Sequence, residues 1–118
     1  MNSLILIAHG SRLESSNKEV IRLVKKLKEQ NNSKNLNIGY SFLELTEPSI
    51  EDSVKKQILL GSKKITLLPY FLAEGKHVKD DIPKEVNYLK NKYKDIDFEL
   101  LPHLGANNGI INLILSCV

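Results

Sequence analysis

Apolar positions along the chain switch between a short and a helical period. Leu4-Ile5-Leu6-Ile7-Ala8 is a continuous run rich in branched residues, the pattern of a central parallel strand covered on both faces. Val20, Ile21, Leu23, Val24 and Leu27 follow at helical spacing with lysines opposite, and Ser15-Ser16-Asn17 offers capping side chains before them. The polar turn Gln30-Asn31-Asn32-Ser33 ends that helix. Leu36, Ile38, Tyr40 and Phe42 alternate with Asn37, Gly39 and Ser41, which predicts a second strand, less buried and at an edge. Pro48 suits the first turn of a second helix, with Thr46 or Glu47 capping or charging its start. Ile50, Val54 and Ile58 form its stripe and Gly61 its stop. Residues 65–72 read as a third strand, with Pro69 near its end because proline cannot donate to the ladder. A loop over residues 73–81 leads to a third helix that starts at Ile82-Pro83 and carries Val86, Leu89 and Tyr93. Residues 96–102 read as a fourth strand, and residues 110–117 as a last helix.

Four strands alternating with four helices predict an α/β three-layer sandwich with a four-stranded, mostly parallel sheet. In such a sheet every strand-to-helix loop lies at the carboxyl end, where ligands bind. The length of 118 residues is that of one domain, spanning 1–118. The net charge of +3 is mild, and the lysines are scattered in pairs with little aromatic interleaving. Nucleic-acid binding is therefore disfavoured, while a small polyanionic ligand is suited. The single cysteine, Cys117, lies in an apolar run and reads as a buried, inert thiol. Met1-Asn2-Ser3 lacks a basic region and no apolar stretch has membrane-spanning length, so a cytoplasmic protein is expected.

Three loops deliver polar groups to the carboxyl end: His9, Ser11 and Arg12; Glu44 and Glu47; Glu74, Lys76 and His77. Two imidazoles with nearby carboxylates suit a divalent transition metal. Each residue also has a plainer reading. A strand-end histidine is often a hydrogen-bonded structural group, a histidine beside Lys76 and Lys79 is often solvated, and Glu47 beside Pro48 would stabilise a helix start. Glu44 has no such role, since it interrupts Phe42-Leu43 and Leu45. His103, between Pro102 and Leu104, suggests packing or a turn. Phe42, Tyr70, Phe71 and Leu72 are core candidates that could also wall a flat ligand. There is no GxxxxGK[ST], no GxGxxG, and no Asp closing strand two or three. Ala8 stands where the arginine of histidine phosphatases would be, and nothing signals a base or oxyanion hole for Ser11.

His9-Gly10-Ser11-Arg12, Leu45-Thr46-Glu47-Pro48-Ser49-Ile50 and the run from Pro69-Tyr70-Phe71-Leu72-Ala73-Glu74-Gly75-Lys76-His77 to Val78-Lys79-Asp80-Asp81-Ile82-Pro83 resemble the short, single-domain sirohydrochlorin chelatases of the CbiX type. Leu101-Pro102-His103-Leu104-Gly105 resembles the family's turn before the last helix less closely. The resemblance implies a chelatase-like, flavodoxin-like topology. It also implies insertion of cobalt, ferrous iron or nickel into sirohydrochlorin during tetrapyrrole biosynthesis, toward cobalamin, siroheme or a related cofactor. By the same resemblance no permanently bound cofactor is expected, and the metal would be a substrate. His9 would bind metal and accept a proton, and His77 would complete the metal site. Glu44 is the carboxylate assigned to the chemistry beside His9, with Glu47 and Glu74 as alternatives in proton removal. Substrate contacts would fall to Ser11, Arg12, Glu47, Leu72, Ala73, Glu74, Gly75, Lys76 and His77. Arg12, Lys76 and Lys79 could meet the tetrapyrrole's peripheral carboxylates, while Leu72 and Phe42 could lie against its ring. Some relatives carry histidine where this chain has Glu74. A homodimer with the cleft between subunits is expected, without nucleic acid or membrane. A metal or tetrapyrrole carrier using the same histidines is the competing reading. Because imidazole binds metal only when neutral, activity should fall below about pH 6.

Overall fold

The computed structural model describes residues 1–118, the side chain of His77 excepted. The elements run β1 (Asn2–Ala8), α1 (Glu14–Gln30), β2 (Leu36–Phe42), α2 (Ile50–Leu59), β3 (Lys64–Pro69), α3 (Lys76–Lys92), β4 (Asp97–Leu100), a single 3₁₀ turn (Leu104–Ala106) and α4 (Gly109–Leu115). The sheet order is β2-β1-β3-β4, and all three ladders are parallel. The fold is α/β, with β1 central and β2 at an edge, as the sequence pattern predicts.

Alternation along β1 divides the core between two faces. Ile5 and Ile7 point to the side of α2 and α3, where they meet Val54, Ile65, Leu67, Ile82, Val86, Leu89 and Phe98. Leu6 points the other way, to Val24 of α1 and Ile38 of β2, while Ala8 meets Val20 and Phe42. At the amino ends of the strands, the buried Ser3 hydroxyl meets Gln57 Oε1 at 2.9 Å and also the Ser62 hydroxyl, so these polar groups are satisfied away from the loops. The opposite, carboxyl end is left to the functional loops.

Several boundaries differ from the sequence reading: β3 ends at Pro69 and β4 at Leu100, short of the expected 72 and 102. α3 starts at Lys76, not at Ile82-Pro83, and Pro83 lies inside it. Pro83 forfeits the hydrogen bond to the Lys79 carbonyl, but its ring is exposed. Starting the helix early brings Val78 and Ile82 into the same buried stripe as Val86 and Leu89. Each buried side chain of this kind contributes about 1.5–3 kcal/mol, so the stripe outweighs a proline cost of roughly 3 kcal/mol. α2 is capped by Ser49, whose hydroxyl accepts from the Asp52 N–H at 3.1 Å; Thr46 and Glu47 do not cap it, and Pro48 precedes it. Ser15-Ser16-Asn17 lies inside α1, whose cap residue, Leu13, makes no side-chain cap bond. α4 is shorter than expected, and Ile111, Leu113, Ile114 and Leu115 are each about 60% exposed. It projects from the sheet rather than lying on it, so its apolar run stays exposed. Cys117 is exposed with it, against the expectation of burial.

Candidate metal centre

Parallel pairing brings His9 and Glu44 together. The ladder of β1 with β2 continues past their ends: Leu43 N–H donates to the Ala8 carbonyl at 2.9 Å, and Glu44 N–H donates to the His9 carbonyl at 3.2 Å. Gly10 makes this approach possible. Its φ is +93°, and a Cβ there would lie 1.9 Å from the Glu44 carbonyl oxygen. No other residue fits that crossing without displacing the Glu44 backbone.

Above this backbone crossing, His9 Nε2 stands 3.1 Å from Glu44 Oε1, with the two side chains 55% and 59% exposed. Two donors about 2.1 Å from one ion and subtending roughly a right angle are separated by about this distance. The pair can therefore share a divalent cation with little rearrangement, and its exposure leaves coordination positions open. The Phe71 ring meets the imidazole edge-on, with centroids 6.2 Å apart and planes at 78°. Among the described residues, no cluster of three or more His, Cys, Asp or Glu groups is arranged to hold a metal. His77, assigned as the second imidazole, occupies the first turn of α3, and its side chain lies outside the described residues.

His9 lies between two hollows. One, of about 310 Å³, is lined by His9, Glu44, Ser49, Asp81 and Glu85 over an apolar floor of Phe42, Leu43, Ile50 and Val78. Burial, and secondarily the Glu51 carboxylate, push the Glu85 carboxyl up from its ordinary value. The other, of about 260 Å³, is lined by His9, Gly10, Ser11, Asn17, Tyr70 and Phe71 among others. Phe42 is only 1% exposed and packs against Ala8 and Val20. It is floor, not the substrate-facing wall expected of it. Leu72, by contrast, is 70% exposed.

The remaining sequence candidates fall into two groups. Ser11 is bound into its own turn: its hydroxyl accepts from Leu13 N–H at 3.0 Å, and its peptide N–H donates to Asn17 Oδ1 at 3.0 Å. Arg12, Glu47, Ala73, Gly75 and Lys76 are exposed, and none of them lines either hollow. Glu74 pairs with His103, its Oε1 3.5 Å from Nδ1, with side chains 21% and 22% exposed. Two structural contributors escaped the sequence reading. Asn17 is buried, and its amide also donates to the Ser11 carbonyl at 2.8 Å, so it holds the turn that follows His9. Its register with Val20 and Val24 on the apolar stripe was the available signal. His103 reads from the sequence as a packing or turn residue and does precede the 3₁₀ turn, but nothing in its local sequence indicates that Glu74 is its partner.

A CbiX family model matches residues 3–118. The chain belongs to the CbiX family. It is 38% identical over 94 residues to the sirohydrochlorin cobaltochelatase of Methanocaldococcus jannaschii, covering 80% of this chain and 64% of that protein. It is 31% identical over 114 residues to the sirohydrochlorin cobaltochelatase of Sulfolobus acidocaldarius, covering 97% of this chain and 87% of that protein. Across the Methanocaldococcus, Methanococcus and Methanopyrus relatives, this CbiX chain spans 57–64% of their length. Its fold is similar to the crystal structure of a CbiX protein from Marinobacter aquaeolei VT8, with TM-score 0.85, 26% identity, and coverage of 99% of this chain and 93% of that one. It also shares the fold of the sirohydrochlorin chelatase SirB of Bacillus subtilis subspecies spizizenii, with TM-score 0.83, 24% identity, and coverage of 98% of this chain and 48% of that one. No helix among the described residues is long and apolar enough to cross a membrane.

Proposed function

We propose that this CbiX domain inserts a divalent metal ion into sirohydrochlorin. The observation that carries the reading is the exposed His9–Glu44 pair, 3.1 Å apart at the carboxyl end of a parallel sheet, with the Phe71 ring edge-on to the imidazole. Metal insertion replaces two pyrrole N–H protons with one divalent ion, so the site must hold the ion loosely and take up protons. A pair with open coordination positions does both, whereas a closed four-ligand site would retain the metal. His9 holds the ion and accepts one proton, and Glu44 is the adjacent base. His77 is the second imidazole in this reading, on the strength of its place in the sequence motif. Arg12, Lys76 and Lys79 are exposed in the segments that follow β1 and β3, with charge suited to peripheral carboxylates.

Cobalt is the metal favoured by the names of the relatives at 31–43% identity, with ferrous iron and nickel as alternatives. We further propose that residues 1–118 act as one domain in the cytoplasm and pair as a homodimer. The apolar side chains exposed on α4 support the pairing. The test is anaerobic incubation with sirohydrochlorin and each metal, followed by the tetrapyrrole's visible spectrum. Acceleration over the spontaneous reaction with at least one metal is expected. Tight binding of metal and tetrapyrrole without acceleration would identify a carrier instead.

A further inference from the structure

Behind the loop that follows β3 lies the turn that follows β4, and the two meet at three successive points. The Gly105 N–H donates to the Phe71 carbonyl at 2.9 Å. A Cβ at Gly105 would lie 1.7 Å from the Leu72 carbonyl oxygen, so the two backbones cross where only a hydrogen fits. His103 Nδ1 then reaches Glu74 Oε1 at 3.5 Å, with both side chains mostly covered. The loop so held carries Phe71, whose ring touches the His9 imidazole, and Leu72, which stands 70% exposed beside it. A path of direct contacts therefore runs from His103 and Gly105 through this loop to the imidazole.

We propose that His103 is a positioning residue for the tetrapyrrole: through Glu74, and beside the Gly105 crossing, it sets the 71–74 loop so that Leu72 presents an apolar face next to His9. This inference rests on the chelatase reading and deepens it. The His9–Glu44 pair is held independently, by backbone bonds between the ends of β1 and β2 that the 103–105 turn does not touch. Loosening the turn should therefore weaken tetrapyrrole binding and spare metal binding and chemistry. A loop ordered before the substrate arrives spares the complex the cost of ordering it.

The test compares His103→Ala with His103→Asn, whose amide nitrogen stands near the position of Nδ1. In His103→Ala, KM for the tetrapyrrole should rise about five- to tenfold while kcat and the KM for metal stay within about twofold. His103→Asn should recover most of the loss. Amide hydrogen exchange of the ligand-free protein supplies an arm that needs no activity. Residues 71–75 should exchange about tenfold faster in His103→Ala and near wild type in His103→Asn. Unchanged exchange, or faster exchange with unchanged KM, overturns the proposal, as does a fall in kcat at constant KM. If the wild-type protein shows no insertion, the chelatase reading fails, and the exchange arm alone upholds or overturns the clamp. Should His103→Ala not fold, His103→Gln, which keeps bulk and displaces the donor by about one bond, takes its place with the same outcomes.

Discussion

His9–Glu44 and His103–Glu74 are both histidine–carboxylate pairs at the carboxyl end of one parallel sheet. The first closes to 3.1 Å with more than half of each side chain in solvent; the second stands at 3.5 Å with about a fifth exposed. An exposed ion pair contributes roughly 0–1 kcal/mol, so its members can exchange each other for a ligand at little cost to the fold. The mostly covered pair lies against backbone that crosses too closely to move, at Gly105 and Leu72. The same chemical groups are thus available for binding in one place and committed to holding a loop in the other. Exposure and the surrounding backbone decide which.

That comparison is tested first at His9. His9→Ala should lower metal-insertion kcat/KM by about 100-fold or more, while thermal unfolding moves by no more than about 0.5 kcal/mol. A stability loss larger than that of His103→Ala would break the distinction between the pairs. Gly10→Ala places a methyl group against the Glu44 carbonyl at positive φ. It should destabilise by about 2–3 kcal/mol and, by parting His9 from Glu44, lower activity with it; a denaturant midpoint and an insertion rate check both. Asn17→Ala removes both amide bonds to Ser11. The expected cost is about 1–3 kcal/mol, read by urea denaturation, with a smaller fall in activity because the turn after His9 loosens while β1 remains.

The smallest effect concerns Glu85, which lines the hollow beside the exposed pair. Its folded pKa is raised above the usual value by burial and by Glu51, so the folded state holds the proton more tightly than the unfolded state. Stability is therefore lost as pH rises from the ordinary carboxylate value through the raised one. Glu85→Gln should stabilise the protein at neutral pH, by under about 1 kcal/mol, and lose that advantage below about pH 4.5, the ordinary value of a glutamate carboxyl. Melting curves at pH 4 and pH 7 check the sign. Glu51 behaves oppositely. Its hydrogen bond from Lys92 holds its carboxyl below the usual range, so its contribution is present at neutral pH and lost on acidification.

Much of this was legible in the linear chain. The β1 run marks a strand buried on both faces, the alternation of β2 marks an edge, and Pro69 marks a strand end. Together they put His9, Glu44 and Glu74 at one end of the sheet. What misled was local chemistry overridden by packing. Pro83 read as a helix start because proline suits one, yet the stripe of Val78, Ile82, Val86 and Leu89 carries the helix through it. Cys117 read as buried because its neighbours are apolar, yet α4 projects from the sheet.

By itself the sequence determined the period of each element, the parallel α/β class that follows from their alternation, and the set of polar residues on the carboxyl-end loops. These depend on spacing along the chain, which a linear pattern records. Only the tertiary structure decided which of those residues meet. Glu44 reaches His9 because β1 and β2 pair in a given register and Gly10 lets their ends cross. Glu74 turns instead to His103, 29 positions away along the chain, because β3 and β4 are neighbours in the sheet. Contacts of that kind arise from strand order and backbone approach, which no local pattern of residues encodes.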